Sequence, residues 1–191
     1  MNKKILFIID AQLDFIDGGA LAVKNSKNKM DALAQYIRES KGEYDAILAS
    51  VDWHPYTHCS FNSNGGMWPP HCIQFSTGAA IYQPILDAIN DIGADFHVFI
   101  KGNIEDREEY SVMKNGVSNM AINAFIEAYK IETADFAGIA GDYCVKDSIE
   151  DFHRNMPDVN IGVFPSFVGN IDEDKFIDFL KKSDYIEVKH N

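Results

Sequence analysis

A carboxylate and three imidazoles occur together between residues 52 and 71 of the chain. Asp52 and His54 alternate along an extended segment, so their side chains project to the same side. His58 and His71 follow, the second within the sequence Trp-Pro-Pro-His-Cys. Oxygen and imidazole ligands suit a divalent metal ion such as zinc, manganese or iron. We therefore predict that Asp52, His54 and His71 bind a metal. His58 is either a fourth ligand or a partner that orients the site.

A second group of reactive side chains lies at or just after the ends of apolar runs that are predicted to be strands. Asp10 ends the first run, Lys101 ends another, and Cys144 comes just after a third, in the sequence Gly-Ile-Ala-Gly-Asp-Tyr-Cys-Val. The carboxyl ends of parallel strands lie on one edge of a sheet, so these residues should meet near Asp52. An ammonium, a carboxylate and a thiol on one edge indicate nucleophilic acyl transfer by Cys144, with Asp10 as general base.

The surroundings of Cys144 favour a reactive thiol over an inert one. A buried free cysteine is usually a small packing residue. Here small residues precede it and a helix is predicted to start at or just after it. The positive helix end should lower the pKa of the thiol, and Lys101 should favour the thiolate further. The free N–H groups of such a turn suit an oxyanion.

Four aromatic residues stand beside these reactive positions in the sequence. They are Phe15, Trp68, Tyr110 and Tyr143. Ordinary core packing explains most aromatic residues in a chain of this kind. Four of them beside one site instead predict a flat, apolar slot for a planar ring.

Apolar, β-branched runs alternate with segments of helical spacing. The predicted strands are 4–10, 46–52, 95–101, 135–140, 160–165 and 185–188. The predicted helices contain residues 30–37, with Ser26 as a cap, then 85–89, 121–128, 145–153 and 176–180. This alternation predicts an α/β fold with a mostly parallel sheet and helices on both faces. Long connections after Trp53 and after Lys101 carry the histidines and Tyr110, which is typical of functional loops.

Size and charge limit the classes of function. The chain has 191 residues and no linker-like segment, which predicts a single domain over residues 1–191. The net charge of -12 disfavours nucleic acid and anionic membrane surfaces as partners. No apolar run is long enough to span a bilayer. Three cysteines, an odd number, indicate reduced thiols and a cytoplasmic location.

These residues resemble the nicotinamidase/pyrazinamidase group of the isochorismatase-like cysteine hydrolases. The similarity extends over nearly the whole chain and depends on a series of motifs. They are Asp10 with Gln12, Asp14-Phe15, residues 18–21 (Gly-Gly-Ala-Leu), residues 52–55 (Asp-Trp-His-Pro), residues 68–72, residues 77–79, Lys101-Gly102, Tyr110-Ser111 and residues 138–145. Together these motifs are highly specific, whereas any single one is weak.

The resemblance implies a three-layer, Rossmann-like α/β/α fold with a six-stranded parallel sheet. It implies that Asp10, Lys101 and Cys144 form a catalytic triad and that Asp52, His54 and His71 bind the metal, most commonly zinc. It also implies a cis peptide between Ile139 and Ala140, with the N–H groups of Ala140 and Cys144 forming an oxyanion hole. Substrate would lie against Phe15, Trp68, Tyr110 and Tyr143. The implied reaction converts nicotinamide, and also pyrazinamide, to the acid and ammonia.

Two other functions have to be weighed. An amidase of the same superfamily could act on a different small amide, although the histidine cluster is then hard to explain. A metal-binding or thiol-based regulatory protein without turnover would not need Asp10 and Lys101 beside its thiol. The resemblance further implies a role in pyridine nucleotide salvage and leaves open whether the chain forms a homo-oligomer.

Overall fold

The computed structural model describes residues 3–190 of the chain, so residues 1, 2 and 191 of the predicted domain lie outside the described part. Six strands form one sheet in the order β3-β2-β1-β4-β5-β6, with parallel pairing throughout. They are β1 (Lys4–Ile9), β2 (Ala46–Asp52), β3 (Phe96–Lys101), β4 (Thr133–Ile139), β5 (Asn160–Gly169) and β6 (Ile186–Val188). The predicted six-stranded parallel sheet is confirmed.

Five helices cover the two faces of this sheet. They are α1 (Ser26–Glu39), α2 (Gln83–Ile92), α3 (Gly116–Tyr129), α4 (Lys146–Asn155) and α5 (Glu173–Lys182). Apolar side chains of α1 and α2 pack in one core, and those of α3, α4 and α5 pack in the other. The fold is therefore the predicted three-layer α/β/α arrangement. Among the described residues, each helix is too short or too polar to cross a membrane.

The central strands explain why the sequence shows continuous apolar runs. In β1, Leu6 and Ile8 contribute to the core beneath α1 and α2. Their neighbours Ile5, Phe7 and Ile9 contribute to the opposite core. A strand covered by helices on both faces is apolar at every position, as is usual in parallel sheets.

Several predicted element boundaries differ from the structure: β4 begins two residues earlier than predicted, β1, β3, β4 and β6 each differ by one residue at one end, and three further differences have identifiable reasons. Strand β5 continues past Pro165 to Gly169, because its pairing with β4 shifts register there and does not require an N–H at the proline. Ser26 does not cap α1, since it is the first helical residue and Asn25 precedes it with a φ of 62°. Helix α4 starts one residue later than predicted, after a wide π-helical turn over residues 141–145.

A buried ion-pair cluster lies in the amino-terminal half of β4, away from the carboxyl edge of the sheet. The carboxylate of Asp135 is fully buried and lies 2.7 Å from the Nζ atoms of both Lys4 and Lys189. The hydroxyl of Tyr44 donates a 2.9 Å hydrogen bond to the same carboxylate. This cluster joins the last described strand to the centre of the sheet.

Candidate functional site

Strand order brings the predicted reactive residues together at the carboxyl edge. Asp52 and Lys101 are register partners at the ends of β2 and β3. Asp10 follows β1 directly, and Cys144 lies in the turn after β4. Because these four strands are neighbours in the sheet, residues that are distant in sequence form one row.

Lys101 lies at the centre of this row. Its Nζ atom is 2.9 Å from Asp10 Oδ2, 2.5 Å from Asp52 Oδ1 and 3.5 Å from Cys144 Sγ. Its side chain is only 1% exposed, so it is not the solvated surface lysine that an isolated lysine usually is. The predicted contact between the acid, the amine and the sulfur is present in the structure.

Asp10 is fixed by its neighbouring strand. The hydroxyl of Ser50 donates a 2.7 Å hydrogen bond to Asp10 Oδ1, and the Asp10 N–H donates to the Ser50 carbonyl at 3.1 Å. Asp10 has a φ of 47°, a left-handed conformation that turns the chain at the end of β1. These contacts hold one carboxylate oxygen and leave the other beside Lys101.

The charges in this buried cluster shift one another's pKa values. Burial alone would lower the pKa of Lys101, but the charges of Asp10 and Asp52 raise it well above its usual value. Burial raises the pKa of Asp10 and outweighs the opposing effect of Lys101. For Asp52 the outcome is opposite: burial raises its pKa, but the charges of Lys101 and His54 lower it by more, so the pKa lies below the usual range. Asp10 is therefore the more basic carboxylate.

The state of the Cys144 thiol differs from the sequence-based expectation. Burial raises its pKa well above the usual value; Lys101 opposes this effect, while the nearby carboxylates of Asp10 and Asp52 add to it. The raised pKa favours the protonated thiol beside the basic carboxylate of Asp10. The local sequence indicates the helix end and Lys101, whereas the burial of Cys144 depends on the folded structure.

The turn that carries Cys144 depends on small residues. Gly138 has a φ of 124°, and a Cβ at this position would lie 2.0 Å from the Ile9 carbonyl oxygen. Gly141 is similarly confined, because a Cβ at this position would overlap Asn170 Oδ1. The peptide between Ile139 and Ala140 is cis, as the family resemblance implied. Ala140 and Cys144 both line the adjacent cavity.

The donor set of Asp52, His54 and His71 fits a divalent metal ion. The Nδ1 atoms of His54 and His71 hydrogen-bond to the carbonyls of Gly102 (2.9 Å) and Pro69 (2.7 Å). These bonds leave each Nε2 lone pair free, and each Nε2 faces Asp52 Oδ2, at 3.5 Å and 3.9 Å. One ligand atom from each of the three residues lies within 4.8 Å of the others. Buried ligands with fixed tautomers are typical of metal sites.

His58 has a different arrangement from the three predicted ligands. The Ser60 N–H donates to its Nδ1 at 3.2 Å, and its Nε2 donates to the Arg107 carbonyl at 3.1 Å. Both ring nitrogens are thus engaged. Burial and the neighbouring His54 lower the pKa of His58 to about 4, so the ring is neutral. Its ring centroid lies 4.1 Å from that of His54. Of the two alternatives, this geometry favours the partner over the ligand.

Gln12 forms hydrogen bonds with the backbone of Asp52, a role that the sequence motif alone does not indicate. Its Oε1 accepts the Asp52 N–H at 2.7 Å, and its Nε2 donates to the Asp52 carbonyl at 2.8 Å. A further bond from Nε2 reaches the Ala79 carbonyl at 2.8 Å. A buried glutamine two residues after a strand-end aspartate was the available signal. The sequence does not show that the Gln12 side chain faces the backbone of Asp52 and Ala79.

A cavity adjoins Cys144 and the predicted metal ligands. Its wall contains the four predicted aromatic residues, Phe15, Trp68, Tyr110 and Tyr143, together with Cys144, Ala140 and the three metal-site residues. The Trp68 Nε1 donates to the Tyr110 hydroxyl at 3.0 Å, and both rings contact Tyr143 edge-on. The cavity is therefore an aromatic slot with Cys144 in its wall.

One acidic residue of the cavity was not foreseen. Glu108 contributes to the wall, and burial together with the charge of Asp52 raises the pKa of its carboxyl. Its neighbour Glu109 is buried beneath the loop. Their position just before Tyr110 in a long connection was the signal, but consecutive acids in a loop usually face solvent.

Similarity to known protein sequences shows which family the chain belongs to. No protein-family model matches the chain. The nicotinamidase of Escherichia coli K12 is 33% identical over 168 residues, which cover 79% of this chain and 76% of that protein. The chain belongs to the nicotinamidase family. It is accordingly a hydrolase acting on amide bonds, as the sequence analysis predicted.

Solved structures agree with this assignment. A pyrazinamidase of Pyrococcus horikoshii, solved in complex with zinc, superposes with a TM-score of 0.85 and 27% identity, covering 99% of both chains. A protein of L. infantum, solved in complex with nicotinate, has a TM-score of 0.82 and 25% identity, covering 98% of this chain and 96% of that one. The isochorismatase-like fold of the chain is thereby confirmed.

Proposed function

We propose that the protein hydrolyses nicotinamide to nicotinate and ammonia through a thioester on Cys144. The observation that carries this proposal is the contact of one buried ammonium, Lys101, with Asp10 and with the Cys144 sulfur beside an aromatic cavity. The names of its relatives, nicotinamidase and pyrazinamidase, support nicotinamide and pyrazinamide as substrates.

In the proposed first half-reaction, Asp10 takes the proton from the Cys144 thiol as the sulfur bonds to the carboxamide carbon. The carbonyl electron pair moves to oxygen, where the N–H groups of Ala140 and Cys144 donate to it. As that pair returns, the C–N bond breaks, and the proton on Asp10 passes to nitrogen, so ammonia leaves. Lys101 remains protonated throughout and balances the negative charge of Asp10.

In the second half-reaction, Asp10 removes a proton from a water molecule while the water oxygen bonds to the thioester carbon. The C–S bond then breaks, the proton on Asp10 passes to sulfur, and the nicotinic acid that is released gives up its own proton to solvent to become nicotinate. Phe15, Trp68, Tyr110 and Tyr143 hold the pyridine ring during both steps and exclude bulk water. Both steps require Asp10 to start as the carboxylate, and its raised pKa makes it a stronger proton acceptor than Asp52.

We propose zinc as the metal, held by Asp52, His54 and His71, with manganese and iron as alternatives. When bound, the ion supplies a Lewis-acid contact for the pyridine nitrogen of the substrate. The zinc complex of the P. horikoshii protein supports this choice. Reconstituting chelator-treated protein with each ion in turn, and measuring bound metal and activity, identifies the metal.

The remaining features fit a small neutral ligand. The net charge of -12 supports the exclusion of nucleic acid and anionic membranes as partners. Three unpaired cysteines support a cytoplasmic location. A homo-oligomer is compatible with the proposal, and sedimentation of the purified protein measures it.

Ammonia release from nicotinamide tests the proposal. Zinc-loaded wild-type protein should release ammonia, and Cys144→Ala should reduce the rate by a factor on the order of 10⁴, because the nucleophile is absent. Benzamide, which lacks the ring nitrogen, should be a poorer substrate than nicotinamide or pyrazinamide. An undiminished rate in Cys144→Ala would exclude covalent catalysis. Equal rates for benzamide and nicotinamide would favour an amidase of different specificity, and metal binding without any turnover would favour a regulatory protein.

A further inference from the structure

Glu109 is a buried carboxylate that the proposed mechanism does not use. It is 1% exposed. Its Oε2 accepts the Gly102 N–H at 2.9 Å and the Asn115 side-chain amide at 3.1 Å. Its Oε1 lies 2.5 Å from the guanidinium of Arg107. The carboxylate therefore joins three separate points of the connection between β3 and α3.

Two of these points carry the carbonyls that hold the histidine rings. The Gly102 carbonyl pairs with His54 Nδ1 at 2.9 Å. The Arg107 carbonyl accepts from His58 Nε2 at 3.1 Å, and the His58 ring packs against His54. Glu109 thus accepts a hydrogen bond from the N–H of Gly102, and the carbonyl of Gly102 fixes the tautomer of His54.

We propose that Glu109 is a positioning residue for the metal site, acting on His54 through the residue Gly102. This inference rests on the proposed role of His54 as a ligand. Without the carboxylate, the Gly102 and Arg107 carbonyls lose their common anchor, and the His54 Nε2 lone pair is no longer held toward Asp52. Partners of this kind, behind a ligand, typically change metal affinity by about 10- to 100-fold when they are removed.

The chemistry of its partners explains why this residue is a glutamate. The Gly102 N–H, the Asn115 amide and the Arg107 guanidinium are all donors. A carboxylate accepts from all three, whereas a glutamine brings an NH₂ group that must face at least one donor. Glu109→Gln should therefore weaken the arrangement without changing the packing volume.

Zinc affinity measured by competition with a chromogenic chelator tests the proposal, with chelator-treated full-length protein as the starting material. Glu109→Ala should bind zinc about 10- to 100-fold more weakly than wild type, and Glu109→Gln roughly two- to fivefold more weakly. Asp135→Ala and Asp135→Asn are matched controls, because they remove an equally buried, ion-paired carboxylate away from the site. The control variants should lower thermal stability but keep wild-type zinc affinity.

Three results would overturn the inference. They are wild-type zinc affinity in Glu109→Ala, wild-type affinity in Glu109→Gln, or an equal loss in the Asp135 variants. If Glu109→Ala does not fold, Glu109→Gln against Asp135→Asn decides. His71→Ala separates this inference from the proposed function. If that variant binds zinc as well as wild type does, the metal site itself is wrong; if it loses zinc while the Glu109 variants keep it, only the role of Glu109 is wrong.

Discussion

At the scale of single residues, the charge balance around Lys101 decides how the thiol reacts. Two carboxylates, Asp10 and Asp52, already contact this one ammonium. Ionising Cys144 would add a further negative charge to a site that excludes water, so the cluster favours the neutral thiol. The proton must then leave as the sulfur attacks, which explains why a basic carboxylate is held beside it.

This balance predicts the titration of Cys144 in protein stripped of metal. The raised pKa of the thiol means that the thiolate is scarce below about pH 9 and forms only at higher pH. The ultraviolet absorbance of the thiolate, taken as the difference between wild type and Cys144→Ala, should therefore stay flat through neutral pH. Thiolate absorbance already present at pH 7 would mean that a preformed thiolate–ammonium pair exists and that Asp10 is not needed to remove the proton.

At the scale of elements, the end of β3 connects the proposed catalytic lysine, Lys101, to the proposed metal ligands. Lys101 is the last residue of the strand, and Gly102 begins the loop with a φ of 64°. A Cβ at Gly102 would lie 2.3 Å from His54 Cε1, so the glycine leaves room for the imidazole. The end of β3 thus supplies the amine of Lys101, and the carbonyl of the next residue, Gly102, orients the His54 ring.

Gly102→Ala should consequently impair the metal site more than the fold. A left-handed backbone costs alanine about 1–2 kcal/mol of stability wherever it occurs. Gly93→Ala is the matched control, because Gly93 has a φ of 66° with no atom within 4 Å of the added Cβ. Gly102→Ala should lose more unfolding free energy than Gly93→Ala, because its Cβ also displaces His54, and only Gly102→Ala should lose zinc binding and activity. Loss of both properties in Gly93→Ala as well would assign the effect to backbone strain.

At the scale of the whole molecule, the sequence was sufficient for the fold because the pattern is simple. Apolar runs covered on both faces indicate parallel strands, and polar residues at their ends indicate a functional edge. For this reason Asp10, Lys101 and Cys144 could be predicted to meet before the coordinates were considered. The strand ends define the edge, and the strand order makes these residues neighbours.

The features that could not be predicted depend on contacts between distant segments. The pKa of Cys144 is set by burial, and the role of Glu109 is set by Gly102, Arg107 and Asn115, which converge only after folding. The continuation of β5 past Pro165 required knowledge of the register shift against β4. Local spacing carries no information on any of these three points.

The central claim is that folding places a nucleophilic sulfur against the carbonyl carbon of a pyridine-3-carboxamide. Pyridine-3-carbaldehyde with a ¹³C-labelled carbonyl tests it directly, because attack by sulfur converts that carbon from trigonal to tetrahedral. In zinc-loaded wild-type protein, the carbon NMR signal should move from the aldehyde region to the thiohemiacetal region, and in Cys144→Ala it should not. An aldehyde that binds and inhibits the wild-type protein while its carbon stays trigonal would contradict the account.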